Sequence, residues 1–139
     1  IIFEYLTYKE EEFSFVFMKS VLEHLENAEH GLNTIKDIMK PNGQVIILTP
    51  EFNGIGFFHD YTNRTPFVIQ SLRDILEVCG FVDIHVEQFY QVPITWRHPW
   101  LLYLFQGLDY MLPQWIIKRS KNLSFSAMPM LLGTGRKEK

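Results

Sequence analysis

The chain has 139 residues, of which 47% are hydrophobic, with a formal net charge of -3 and an isoelectric point near 5.9. That length fits one domain of ordinary size, able to bury roughly two-thirds of its unfolded surface. The acidic balance excludes a general electrostatic attraction to nucleic acid, and the single cysteine, Cys79, excludes an internal disulfide and points to a reducing, cytoplasmic setting.

In chain order, the opening IIFEYLTYKEEE has neither the basic leader nor the long apolar core of a secretory signal, and it begins with Ile1 rather than Met. The sequence therefore reads as a piece of something longer. The short apolar run Phe15, Val16, Phe17 and Met18 predicts a buried strand that stops at a helix start, where Ser20 and Glu23 make the S-x-x-E pattern of a capping box. A strand that ends just before a capped helix leaves a concave corner at its carboxyl end, which is where open α/β sheets bind ligands. This corner is the first candidate for a site.

Asn27 then caps a second helical stretch with a stripe of Leu32, Ile35, Ile38 and Met39, leaving Glu29, Lys36, Asp37 and Lys40 for solvent. Pro41, Asn42 and Gly43 end it with turn chemistry, and the almost uninterrupted β-branched run 45–48 predicts a strand covered on both faces, closed by Thr49 and Pro50. A loop over 51–65, rich in Gly, Asn and aromatic residues, leads to a third helix opened by Pro66 and Phe67. Its stripe of Ile69, Leu72, Ile75 and Leu76 stops at Gly80. Residues 81–89 alternate through Val82, Ile84 and Val86 as a strand does. Strand, helix, strand, helix, strand predicts an α/β fold with a parallel sheet and right-handed crossovers.

Residues 96–119 form a second unusual feature. Leu101, Leu104, Phe105, Leu108, Met111, Leu112, Trp115 and Ile116 follow a helical stripe, while Gln106, Asp109, Pro113 and Gln114 argue against a membrane span. Lys118, Arg119 and Lys121 follow it, so residues 96–121 read as an interfacial helix making a peripheral membrane contact or as a lid over a greasy substrate. The plainer reading is a pair of helices inserted before the last strand, expected over 127–136, and packed on the domain.

The series F-x-h-V-F-x-x-S-V-L-E-H-L, then I-K-D-I-M-K-P-N-G-Q-V-I-I-L-T-P, then S-L-R-D-I-L-E-V-C-G-F resembles the second half of a class I S-adenosylmethionine-dependent methyltransferase of the type 11 small-molecule kind. The resemblance implies a partial Rossmann-like class I methyltransferase fold. Strands four to seven with their helices are present, the first three strands are missing, and residues 91–124 are a helical insertion or lid within the C-terminal part of one domain, 1–139. It also implies S-adenosylmethionine as cofactor, lined by Met18, Lys19 and Ser20 at the end of the fourth strand; the residue-level alternative makes these core, solvent and helix cap. Glu23 and His24 match the family's E-H pair, against plain capping and packing roles.

Displacement at a sulfonium methyl needs an in-line nucleophile and excluded water, with a base only if the nucleophile carries a proton. In the loop after the fifth strand, His59 and Tyr61 are the expected catalytic residues, able to accept a proton and face a cation, unless the loop aromatics simply cover the sheet end. No metal site is expected, since His85 and Glu87 are only two ligands. Phe13 and Ser14 stand where the family has an FD pair, Asn42 sits in its KPGG turn, and Asn63 sits where some members have a His. Its glycine-rich turn has no counterpart, because neither Gly54-Ile55-Gly56 nor Gly133-Thr134-Gly135 lies between a first strand and a first helix. The implied function is methyl transfer to a small acceptor, lipophilic or glycan-linked, by a piece inactive on its own. The alternative is a non-catalytic relative that binds a partner or a membrane through the aromatic helix. Oligomeric state is left open.

Overall fold

The computed structural model describes residues 12–52, 57–58, 60–90, 97–98, 100–101, 104 and 129–138. The chain divides into two compact units, residues 1–88 with 131–139, and residues 89–130. In the first unit, β1 (Phe13–Lys19) leads through a short 3-10 turn, Leu22–His24, to α1 (Ala28–Ile38) and then β2 (Met39–Pro50). α2 (Ile69–Val78) and β3 (Phe81–Phe89) follow, and β4 (Met130–Lys137) completes a sheet of order β1-β2-β4-β3. β1 and β2 are parallel, with Val16 opposite Val45 and Met18 opposite Ile47, so their carboxyl ends lie side by side.

The register explains the burial. Val16, Met18, Val45, Ile47 and Thr49 share one face of the sheet, and the last four of these are buried there with Leu32 and Ile35 of α1 and Leu72 and Leu76 of α2. The opposite face of β1 carries Phe15 and Phe17, 51% and 53% exposed. α1 starts as its sequence requires: the Asn27 side chain accepts the His30 N–H at 2.9 Å. α2 ends at Gly80, whose φ of 75° is the left-handed conformation that closes a helix, and the Lys36 ammonium reaches across from α1 to the Cys79 carbonyl.

Two sequence expectations are corrected. The helix capped by Ser20 and Glu23 does not form: the segment makes one 3-10 turn preceded by Val21, with no side-chain cap, and Ser20 adopts a φ of 51°. A residue in that conformation cannot be an N-cap, which needs extended backbone. Residues 40–43 do not terminate α1 as a separate turn; extended backbone starts at Met39, opposite Phe13, and those four residues bulge before Gln44 pairs with Phe15. Asn42 is left-handed at φ 62°, and a Cβ on Gly43 would lie 2.8 Å from the Lys40 carbonyl oxygen, so the bulge demands glycine there. In β3 the expected alternation holds, with Val82, Ile84 and Val86 turned inward and Asp83, His85 and Glu87 exposed, although Asp83 itself sits at φ 53°.

One side chain clasps two of these left-handed positions. Arg136 donates from Nε and Nη2 to Asp83 Oδ2 at 2.7 and 2.6 Å and from Nη1 to Asn42 Oδ1 at 2.8 Å. Asp83 is well exposed, so water and salt screen the pair. Arg136→Ala is expected to lower the unfolding free energy by about 1 kcal/mol, measured by urea denaturation, with the loss shrinking in about 1 M NaCl.

Of the second unit's aromatic stripe, Arg97, His98, Trp100, Leu101 and Leu104 are described. The Leu101 N–H donates to the His98 carbonyl at 3.0 Å, and Trp100 and Leu104 are exposed. The rest of the stripe lies outside the described residues. Among the described residues no helix is long and apolar enough to cross a membrane.

Candidate functional site

The corner at the carboxyl ends of β1 and β2 is built around a buried acid. The Ser20 N–H donates to the Leu48 carbonyl at 2.8 Å, extending the ladder by one bond before the chain turns through its left-handed φ. That turn throws Leu22 and Glu23 inward together, at 0% and 1% exposure. Beside it the last inward residue of β2 is Thr49, itself fully buried, whose hydroxyl donates to Glu23 Oε2 at 3.0 Å. Burial pushes the Glu23 carboxyl above its ordinary 4.5, because desolvation disfavours the charged form; its own backbone N–H, Thr49, His24 and Ser20 pull the other way.

The loop after β2 is tied to the same turn. The Glu23 carbonyl accepts from the N–H groups of Arg64 and Thr65 at 2.8 and 3.1 Å. Glu23 Oε1 lies 3.8 Å from His24 Nε2, and on the other side of the ring His24 Nδ1 lies 3.1 Å from Thr62 Oγ1. Thr62 in turn donates to Asp60 Oδ1 from its hydroxyl at 2.6 Å and its N–H at 3.0 Å. Those two bonds hold the Asp60 carboxyl below its ordinary 3.8. Because Thr62 spends its one hydroxyl proton on Asp60, it can only accept from His24, which fixes Nδ1 as a protonated nitrogen and turns Nε2 toward Glu23.

Aromatic side chains stand at the β2 end of the corner. Phe52, Phe57 and Phe58 meet edge to face with centroids 5.2 to 6.1 Å apart. Phe57 is buried, its carbonyl accepting from Asn63 Nδ2 at 2.7 Å, whereas Phe58 is 55% exposed. Asn63 is thus a loop fastener.

Of the residues singled out in the sequence, Met18 is buried in the core, Lys19 is exposed and Ser20 is half-buried at the corner's edge. Tyr61 is 94% exposed on the loop beside Asp60 and Thr62, and His59 lies outside the described residues. Cys79 is buried with its thiol pushed up by desolvation, and His85 and Glu87 pair at 3.4 Å on an exposed strand face. Among the described residues no group of three or more His, Cys, Asp and Glu side chains is placed to hold a metal ion. Sequence reasoning missed the role of Glu23 and Thr49. The available signal was Thr49 itself, a hydroxyl at the end of a strand expected to be covered on both faces, which has to find a partner.

A family model described as a methyltransferase domain matches residues 2–47, which span β1, α1 and the first part of β2. No curated protein sequence matches the chain. Among solved structures, a phosphoethanolamine N-methyltransferase 2 from Haemonchus contortus in complex with S-adenosyl-L-methionine is 17% identical, with a TM-score of 0.62 over 100% of this chain and 36% of its own. A SAM-dependent methyltransferase from Archaeoglobus fulgidus is 19% identical, with a TM-score of 0.65 over 99% of this chain and 65% of its own. A 1,6-didemethyltoxoflavin-N1-methyltransferase from Burkholderia thailandensis, with its namesake ligand and S-adenosylhomocysteine bound, is 15% identical, with a TM-score of 0.60 over 99% of this chain and 48% of its own. The likeness is one of fold, and the chain spans between about a third and two-thirds of the length of these proteins. The described sheet and helices are part of a Rossmann-like methyltransferase fold, and the sequence resemblance to class I methyltransferases stands.

Proposed function

We propose that this chain is part of an S-adenosylmethionine-dependent methyltransferase whose reaction takes place at the corner formed by the carboxyl ends of β1 and β2, on a small, lipophilic or glycan-linked acceptor. The observation that carries the reading is Glu23, a carboxyl 1% exposed at the carboxyl end of a parallel strand pair. A carboxyl is rarely buried in a domain core without a partner or a task, and that strand end is where open α/β sheets meet their ligands. The side chains that could meet a sulfonium cation are the buried Glu23 carboxyl and the exposed rings of Phe58 and Tyr61.

Met18, Lys19 and Ser20 would line the cofactor, with His59 and Tyr61 on the acceptor side. When bound, the cofactor supplies an electrophilic methyl group. The protein's part is to orient the acceptor and keep water out, for which the three edge-to-face phenylalanines provide an apolar wall. Phe58 and Tyr61, both well exposed, favour an acceptor with apolar surface. The glycine-rich half-site would come from sequence outside these residues.

Calorimetric titration of the full-length protein with S-adenosylmethionine is expected to give saturable binding, and residues 1–139 alone are expected to bind far more weakly. A folded full-length sample that gives no binding isotherm would falsify the transferase reading.

A further inference from the structure

We propose that Ser20, Glu23, His24, Thr62 and Asp60 form a proton-conducting chain, which carries the proton released by an N–H or O–H methyl acceptor from the corner at the end of β1 out to solvent. The proposal rests on the transfer reaction proposed above.

The outer links, His24 to Thr62 and Thr62 to Asp60, are within hydrogen-bond distance, and the inner one, Glu23 to His24, is a 3.8 Å gap. Ser20 is half-buried at the corner, held at φ 51° by the turn that ends β1, and its hydroxyl favours the ionised form of the Glu23 carboxyl. A non-glycine residue kept in that region costs energy, and such residues gather at functional sites. Glu23, in the interior, receives one hydroxyl bond at Oε2 from Thr49, and its Oε1 faces His24 Nε2 at 3.8 Å. The carboxyl can therefore hold a proton itself or pass it to the imidazole once the ring turns toward it. His24 spans the interior and the surface, with its side chain 35% exposed. Beyond it, the 3.1 Å contact to Thr62 and the 2.6 Å bond to Asp60 lead to an exposed carboxylate. Among the described residues, the other charged groups nearby are Lys19, exposed at the end of β1, and the exposed pair of Arg64 and Glu26, whose side chains meet each other at 3.4 Å.

The step balances without a further reactant. As the acceptor lone pair forms the bond to the methyl carbon, the carbon–sulfur bond breaks and its electron pair stays on sulfur. The excess proton on the acceptor passes to Ser20 Oγ while the Ser20 hydroxyl proton passes to the Glu23 carboxylate. Glu23 hands its proton to His24 Nε2, a gap closed by rotation of the ring. The Nδ1 proton then moves to Thr62 Oγ1 as the Thr62 hydroxyl proton moves to Asp60 and on to water.

The test is a carboxyl and imidazole titration by NMR on the full-length protein labelled with carbon-13 at glutamate carboxyls and nitrogen-15 at histidine. It is run free, with S-adenosylmethionine and with S-adenosylhomocysteine. The expected result has three parts. The midpoint of Glu23 moves when His24 is replaced, His24→Gln. His24 loses its Nδ1–H tautomer in Thr62→Val, an exposed substitution. The cationic S-adenosylmethionine lowers the Glu23 midpoint by about one unit relative to the neutral S-adenosylhomocysteine. Ser20→Gly, which keeps the left-handed turn but removes the hydroxyl, is expected to shift the Glu23 midpoint upward. If both compounds bind but leave Glu23 with the same midpoint, or if Glu23 ignores His24→Gln, the conducting chain is refuted while the transfer reading survives. If neither compound binds, the transfer reading itself falls and the chain's role with it.

Discussion

Leu72→Ala is expected to lower the unfolding free energy of the sheet unit by about 4 kcal/mol, a large share of the stability that a unit of this size can have. Leu72 is fully buried on α2, and the strand beneath it offers no side chain at the contact point: a Cβ built on Gly133 of β4 would lie 3.1 Å from Leu72 Cδ2. Leucine thus fills space that glycine leaves. Removing it opens a cavity whose floor is backbone, which cannot swing in as a side chain would, so the cost belongs in the upper part of the range for such changes. The same geometry predicts rescue. Gly133→Ala alone crowds Leu72 and destabilises, but in the Leu72→Ala background the added methyl has room. The double variant is expected to recover about 1 kcal/mol relative to Leu72→Ala. Urea denaturation of the four proteins gives the coupling, and additive losses would show that Leu72 and Gly133 do not share this space.

The second large effect concerns Glu23 and depends on pH. Glu23→Ala leaves the buried Thr49 hydroxyl without its acceptor and a gap beside it, at an expected cost of about 2 to 4 kcal/mol. Glu23→Gln keeps the shape and an acceptor for Thr49 but cannot ionise. Because burial raises the folded pKa above the ordinary 4.5, the group's contribution is fully present below 4.5 and is lost as pH rises through the folded value. In that window the folded protein still holds a proton that the unfolded chain has released. Each unit of elevation corresponds to about 1.4 kcal/mol. Wild type should therefore lose ground against Glu23→Gln between pH 4.5 and neutrality, a trend read directly from paired urea curves. A stability difference constant across that range would mean that the carboxyl titrates normally and that the corner is wetter than its burial indicates.

Much of the fold follows from periodicity, and the exceptions are local. The stripes of Leu32, Ile35, Leu72 and Leu76 face the core as their spacing demands, and the Asn27 cap forms. Residues 81–89 form a strand, and the closing strand runs over Met130–Lys137. What the pattern could not show is where the backbone leaves its usual region. Ser20, Asn42 and Asp83 all have positive φ; at Ser20 an inward turn replaces the expected helix cap, and at Asn42 the expected turn is a bulge within β2. Such residues are chosen by what surrounds them, here the Leu48 carbonyl and the Arg136 fork, and not by their neighbours in sequence. The site suffered from the same cause. S-x-x-E reads identically whether the glutamate turns back to cap a helix or, after a left-handed serine, turns inward to meet a threonine from the next strand.

The placement of β4 has a consequence for how the chain is made. In the sheet order β1-β2-β4-β3, the strand between β2 and β3 is the last of the four to leave the ribosome. Until residues 130–137 emerge, β3 has no ladder partner in its final position, and Leu72 and Leu76 have no strand at Gly133 to close against. Synthesis at about 5 to 20 residues per second leaves that opening exposed for several seconds after β3 itself is complete. The nascent protein should accordingly depend on a holding chaperone during this interval, and a stop codon placed before residue 130 should yield an aggregating product instead of a smaller folded one.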